Sequence, residues 1–327
     1  MIIPSRWMSD KPNGLEQPQL YKLRTRDDFR YMTDYSDCKD CFDGVNIAGG
    51  VCYYLADKQW HGDCEITYIT KETDEKDKTK LHTIEIHRTG RLSDSQGNII
   101  RDLRVGNIVD KVEQRDGKDY RENKTFTSLI GTNRLFSPND NYFATNWIGF
   151  KSSQDSEHTL KYFANSRVLT IVGIDVKDRD YGWVSWDDMP DRDEARQVAK
   201  MQKLILPLSG PTDGRVIALP VIGGTDSVCS RTYAPMYSAE IIKTENDCIN
   251  IIKYMKTKFL RSLVNGVKNT QHATRNVYRL VPLQDFTSNS DINWDKPVSE
   301  IDHQLYKKYN LSDDEINYIE KTIKPMV

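Results

Sequence analysis

The sequence predicts an α/β segment over residues 1–70, followed by an α+β segment over residues 71–327 that closes in C-terminal helices. Three observations predict it. Short β-branched and aromatic runs alternate with turns through the first 70 residues, the pattern of sheet strands. Lys71 to Lys80 reads KETDEKDKTK without an apolar residue, which marks a solvated linker and a boundary. Near the C-terminus, two segments carry full helix start and stop signals.

Taken in order, Met1-Ile2-Ile3-Pro4-Ser5-Arg6-Trp7 reads as a strand that stops at proline. Gly14 to Arg24, with Leu15, Leu20 and Leu23, reads as a short helix interrupted by Pro18. Phe29 to Tyr35 is the next strand. Cys41-Phe42-Asp43-Gly44 forms a turn that presents an aromatic ring. Gly49-Gly50 then lets the chain turn tightly into the strand Val51 to Leu55, and Glu65 to Ile69 is a further strand.

Beyond the charged run, Thr83 to His87 alternates as a strand and Asn107 to Val112 reads as a short helix. Arg115 to Lys124 is charged and loop-like. Phe126 to Phe150 interleaves aromatic residues with Asn, Arg and Lys. Val168 to Val176 reads as an apolar β-branched strand, and Asp191 to Met201 as a polar helix. Leu204 to Leu208 and Val216 to Val221 are further strands, followed by a loop from Gly223 to Tyr237. Thr244, with Asp247 three residues on, caps a helix that runs to Val267 and stops at Gly266. Its apolar stripe is Cys248, Ile251, Ile252, Met255, Phe259, Leu263 and Val267; its other face carries Lys253, Lys256, Lys258 and Arg261. A last helix has Ser312 as N-cap, Glu315 at N3, a Leu311–Ile316 staple and Pro325 as stop.

Bulk composition bounds the function classes. The 327 residues are 38% hydrophobic and 29% charged, a soluble profile consistent with the cytoplasm. No apolar run approaches the ~20 residues of a membrane span, and no signal-peptide pattern opens the chain. The net charge of −2 does not announce a nucleic-acid binder, but a local basic patch suffices for one. Cys38-Lys39-Asp40-Cys41 has a metal-like spacing with no second matching pair, so no metal site is assigned and the six cysteines are read as reduced thiols.

The order strand, proline stop, helix, aromatic turn and Gly-Gly strand resembles the last third of the catalytic domain in gamma-class adenine-N6 DNA methyltransferases. It is most similar to the large type IIG restriction–modification enzymes, where one polypeptide carries methyltransferase and target recognition. Two later segments are similar to the same enzymes: Lys256-Thr257-Lys258-Phe259-Leu260-Arg261 through Gln271, and Leu305 to Leu311 with the Ser312 cap and Ile323-Lys324-Pro325-Met326. On this resemblance, residues 1–70 are the remnant of a methyltransferase sheet. Residues 71–327 are then a DNA target-recognition domain with its connector and C-terminal helices.

The resemblance also implies chemistry. Adenine-N6 methylation takes the base out of the duplex and holds it in a pocket. In the family an aromatic ring at the turn stacks on the extruded adenine, which points to Phe42; Asp43 stands where the family more often has proline. By composition alone a buried core role for Phe42 is the commoner outcome. The cofactor implied for the complete enzyme is S-adenosylmethionine. This sequence has no Asn/Asp-Pro-Pro-aromatic motif and no strand leading into a Gly-x-Gly loop. No cofactor is therefore expected for this chain alone, and Met1 is expected to be internal to a longer protein or the start of a split subunit. The expected partners are double-stranded DNA and the missing methyltransferase portion, in cis or as a separate subunit.

Asn, Gln and Arg on loops can read base edges, which makes Asn133, Arg134, Asn146, Lys151 and Arg231 with Tyr233 the base-contact candidates. Lys256, Lys258, Arg261, Lys268 and Gln271 are candidates for phosphates. Each alone is an ordinary solvated residue by default. Two alternatives stand beside this reading. One is a stand-alone DNA-specificity subunit. The other is a metal-dependent nuclease, for which Asp175-Val176-Lys177 after an apolar strand and Asp140 upstream form a loose echo of the acid–x–Lys pattern.

Overall fold

The computed structural model describes all residues except 9–16, 45, 46, 48, 74–78, 94–96, 118, 119, 121–124, 176–180, 212, 213, 269–271 and 327. The chain divides into two compact units, Met1–Ile108 and Val109–Val327.

The first unit is built on a five-stranded sheet: β1 (Ile2–Pro4), β2 (Phe29–Tyr35), β3 (Val51–Ala56), β4 (Cys64–Thr73) and β5 (Leu81–Gly90), in the order β1-β3-β2-β4-β5. β2 and β4 run parallel; the other neighbours are antiparallel. Alternation sets the faces. Met32, Cys52, Cys64, Ile66 and Tyr68 turn to one side and pack with Trp7, Phe29, Leu92, Ile99 and Leu103. On the other side Tyr31 and Leu55, cross-strand partners, stay exposed beside Tyr53. Trp7 donates its indole N–H to Cys52 Sγ at 3.3 Å, which satisfies its one polar atom inside the core.

Two expectations change here. Helix α1 (Gln17–Arg24) starts at Gln17, with Pro18 in its first turn. The missing N–H costs nothing there, so the proline opens the helix and does not interrupt it. The expected linker over 71–80 does not separate one fold from the next. Lys71 to Thr73 complete β4, and Leu81, His82 and Thr83 pair back onto them as the start of β5. Charge density signalled exposed strand ends, and residues 74–78 lie outside the described ones.

Helix α2 (Leu103–Asp116) is longer at both ends than the expected 107–112. In the second unit two three-stranded sheets share one core. One runs β10 (Ser227–Cys229), β6 (His158–Phe163), β7 (Tyr181–Ser185), and the other β11 (Tyr233–Met236), β8 (Leu204–Pro207), β9 (Val221–Ile222). Phe143, Leu160, Tyr162, Val184, Ile205 and Val228 fill the space between them. The predicted strand over 168–176 is instead helix α3 (Ser166–Ile171). Asn165 caps it by accepting from Val168 N at 3.1 Å, and Gly173 at φ +83° ends the following turn. A local cap overrode the β-branched composition. Of the expected strand 216–221 only Val221 is in a strand, because Val216 at φ +73° and Pro220 break the extended run. The expected loop 223–237 contains β10 and β11.

Helix α4 (Asp193–Lys200) matches the polar helix. The expected single helix 244–267 is two, α5 (Glu245–Lys256) and α6 (Lys258–Asn265), broken at Thr257 with ψ 145°. Helix α7 (Val298–Lys308) follows, and α8 (Asp313–Thr322) carries the predicted Ser312–Glu315 capping box. Among the described residues no helix is long and apolar enough to cross a membrane.

Candidate nucleic-acid interface

In the first unit, Phe42 is not a core residue: its side chain leaves the residue 37% exposed. The turn beneath it is tightly specified. Asp37 caps a short 3-10 turn (Cys38–Asp40) by accepting from Lys39 N at 3.0 Å. Cys41 N and Phe42 N both donate to the Cys38 carbonyl, at 3.0 and 2.9 Å. Ile47 N donates to Cys38 Sγ at 3.0 Å. Lys71, at the end of β4, pairs with Asp37 at 3.2 Å and Asp40 at 2.9 Å. Gly50 must be glycine: at φ +77°, a Cβ would lie 2.0 Å from the Tyr35 carbonyl oxygen.

Behind this turn sits a charged core that the sequence reading missed. Asp34, 3% exposed, accepts from Ser5 Oγ at 2.6 Å and from Arg101 in a two-pronged contact, Nε and Nη2 each at 2.8 Å. The third Arg101 nitrogen donates to the Gly49 carbonyl at 2.7 Å. Desolvation opposes the charge on Arg101, but the Asp34 carboxylate outweighs it and holds the guanidinium pKa above its usual value. The buried Asp34 at an inward strand position was the available signal, since such a charge needs a cation from elsewhere in the chain.

In the second unit, the structure brings two of the base-contact candidates together. Asn133 Nδ2 donates to the Arg231 carbonyl at 2.9 Å. Arg231 itself donates to Ser137 Oγ at 3.2 Å and pairs with the exposed Asp140 at 2.9 Å. Arg134 is exposed, and its carbonyl accepts from Arg192, another exposed cation, at 3.5 Å. Arg192 was not singled out in the sequence because flanking aspartates, Asp191 and Asp193, hide it. Tyr233 is half-buried and donates its hydroxyl to the Ala164 carbonyl at 3.1 Å. Asn146 is exposed. Lys151 pairs with Asp155 at 2.8 Å, and that lysine, with His158, holds the Asp155 carboxyl well below the usual range.

The phosphate candidates scatter. Arg261 does not share an exposed face with the lysines. It is fully buried, and its N–H groups donate to the carbonyls of Lys256, Thr257, Arg215 and Lys324. The sequence placed it by helical periodicity through Thr257, and the break there turns it inward. Lys258 pairs with Glu320, and Lys268 donates to the Val216 carbonyl. Gln271 lies outside the described residues. Lys256 lines a groove with Lys253 and Lys296 over Ile249, Ile252 and Val298.

The nuclease pattern is not supported by its local structure. Asp175 follows helix α3 and not a strand, Val176 and Lys177 lie outside the described residues, and Asp140 pairs with Arg231. Among the described residues no three His, Cys, Asp or Glu side chains are grouped to hold a metal ion.

No family model matches the chain. Over 62 residues it is 34% identical to an uncharacterized adenine-specific methylase of Mycoplasma pneumoniae, a stretch covering 19% of this chain and 14% of that protein. Among solved structures it matches the type IIG restriction endonuclease BpuSI with a TM-score of 0.30 and 7% identity, over 98% of this chain and 47% of that one. The chain thus spans less than half of either protein.

Proposed function

We propose that this chain binds DNA in a sequence-dependent way and supplies the stacking ring for a target adenine during N6 methylation, as a component of a restriction–modification enzyme. The observation that carries the reading is Phe42: a partly exposed aromatic residue on an anchored turn, in a chain with local similarity to an adenine-specific methylase. Stacking on an extruded base is worth ~1–3 kcal/mol, and an exposed ring is available for it where a core ring is not. The unit Met1–Ile108 serves the catalytic side, and the unit Val109–Val327 serves recognition, with Asn133, Arg134 and Arg231 as base readers.

The methyl donor in this reading is S-adenosylmethionine, bound by a companion domain in cis or by a separate subunit. This chain's own sequence has neither the Gly-x-Gly loop nor the Asn-Pro-Pro-aromatic loop that would hold donor and amine. Calorimetry on residues 1–327 should accordingly show no micromolar binding of the cofactor.

Recovery of duplexes from a random-sequence pool tests the reading. The retained DNA should share a motif containing adenine, and 2-aminopurine at that adenine should brighten on binding. Phe42→Ala should abolish the extrusion signal while leaving affinity nearly intact. Retained duplexes without a common motif would sink the proposal.

A further inference from the structure

We infer that Arg101 and Lys71 are positioning residues for Phe42: they fix the two ends of the turn so that its ring is presented before any base arrives. The inference rests on the stacking reading of Phe42. Both anchors come from distant stretches of the chain. Arg101 lies 67 residues from Asp34 and 52 from Gly49. Its fork locks onto a buried carboxylate of β2, and its remaining nitrogen takes the carbonyl of Gly49, just before the strand that follows the turn. Ser5 occupies the same carboxylate at 2.6 Å, which ties β1 into the network.

At the other end, Lys71 bridges Asp37 and Asp40, the cap and the last residue of the 3-10 turn. Phe42 N then donates to the Cys38 carbonyl inside that turn. Phe42 is 37% exposed and stands outside the buried cluster of its unit, so the polar contacts at the turn's ends contribute to holding its position. Prior fixation matters because a ring that must be ordered on binding loses some of its stacking energy to that ordering.

Two substitutions test this. Arg101→Lys keeps the charge but loses the fork. Lys71→Met removes both of its part-exposed ion pairs and leaves the Asp34–Arg101 contact untouched, so it keeps the test valid if Arg101→Lys folds poorly. The first readout is amide hydrogen exchange of the 327-residue chain alone. The Cys41 and Phe42 amides should exchange about tenfold faster in either variant, with core strand amides unchanged. The second is the 2-aminopurine signal on the pool-selected duplex. It should fall several-fold at saturation while the dissociation constant stays within about twofold.

The two ideas fail differently. If Phe42→Ala leaves the extrusion signal intact, or no duplex is selected, the stacking reading is wrong, and the exchange data still decide whether the anchors fix the turn. If Phe42→Ala abolishes the signal but both anchor variants retain it and exchange as wild type does, Arg101 and Lys71 do not position the ring.

Discussion

Among the buried charges, Lys203 and Asp302 show how a charge's partners decide what substitution does. Lys203 is fully buried, and its ammonium donates to the carbonyls of Ala199, Met201 and Gly224 and to Ser227 Oγ, all within 3.0 Å. Burial pushes its pKa down to about 7, against the pull of Cys229, Asp226 and Cys248. Lys203→Met strands those acceptors in a dry site and should destabilise the protein by about 3 kcal/mol in urea titration. Asp302 is the second. It accepts from Lys258 N and Phe259 N, both at 2.9 Å, at the start of α6. Desolvation outweighs these bonds and raises its carboxyl to about 6. Because the folded pKa lies above the unfolded value near ~3.9, the native chain binds the extra proton between the two. The contribution of Asp302 to stability therefore falls as pH rises from ~4 to ~6, by up to about 3 kcal/mol. Asp302→Asn should lack this slope, so the difference between the two unfolding curves across pH 4, 6 and 8 isolates it. A parallel pair of curves would show that Asp302 titrates as an ordinary carboxylate.

Elements follow the same logic at their ends. Thr257 closes α5 by donating to the Tyr254 carbonyl at 2.6 Å and opens α6 by accepting from Leu260 N at 3.2 Å. Thr257→Val keeps the shape and removes both bonds, and should cost ~1–2 kcal/mol, while Thr257→Ser should cost far less. Calorimetric melting of the two variants checks this; equal losses would mean that packing and not the cap sets the break. The same junction explains what the sequence made legible. Strands Phe29–Tyr35 and Val51–Ala56 and the capped helix Asp313–Thr322 carried local signals strong enough to read directly. The break at Thr257 was hidden because the apolar stripe continues through it. Strands β6, β7, β10 and β11 owe their pairing to partners tens of residues away, as in the parallel match of Ser227 with Lys161, and such pairing leaves a weak local trace. Helix α3 was misread for the opposite reason: Val168, Thr170 and Ile171 favour strands by composition, and the Asn165 cap says otherwise.

At the scale of the whole molecule, the proposed division of labour on DNA is testable and differs from what periodicity suggested. The sequence offered one basic helix face for phosphates; the structure occupies most of it. Arg261 is sequestered by carbonyls, Lys258 is paired with Glu320, and Lys268 is tied to Val216. Lys256 remains, half-buried beside Lys253 and Lys296. Of the proposed base readers, Asn133 and Arg231 meet although they lie 98 residues apart, a convergence no sequence window can display, and Arg134 is the chain neighbour of Asn133. We therefore expect specificity to follow the arginines and nonspecific affinity to follow Lys256. Arg134→Ala or Arg231→Ala, where the residue reads a guanine, should cost ~1–3 kcal/mol on the selected site and relax one of its positions. Lys256→Gln should weaken selected and scrambled duplexes alike and reduce the salt slope by about one unit. Arg231 has a further signature, because its pairing with Asp140 must open before it can reach a base. Asp140→Asn should then tighten binding to the selected duplex if Arg231 reads DNA, and leave it unchanged if Arg231 serves only to hold the 133–140 loop. A salt series on the two duplexes with these four variants separates the roles. If Lys256→Gln changes which duplex is preferred and the arginine changes do not, the assignment is reversed.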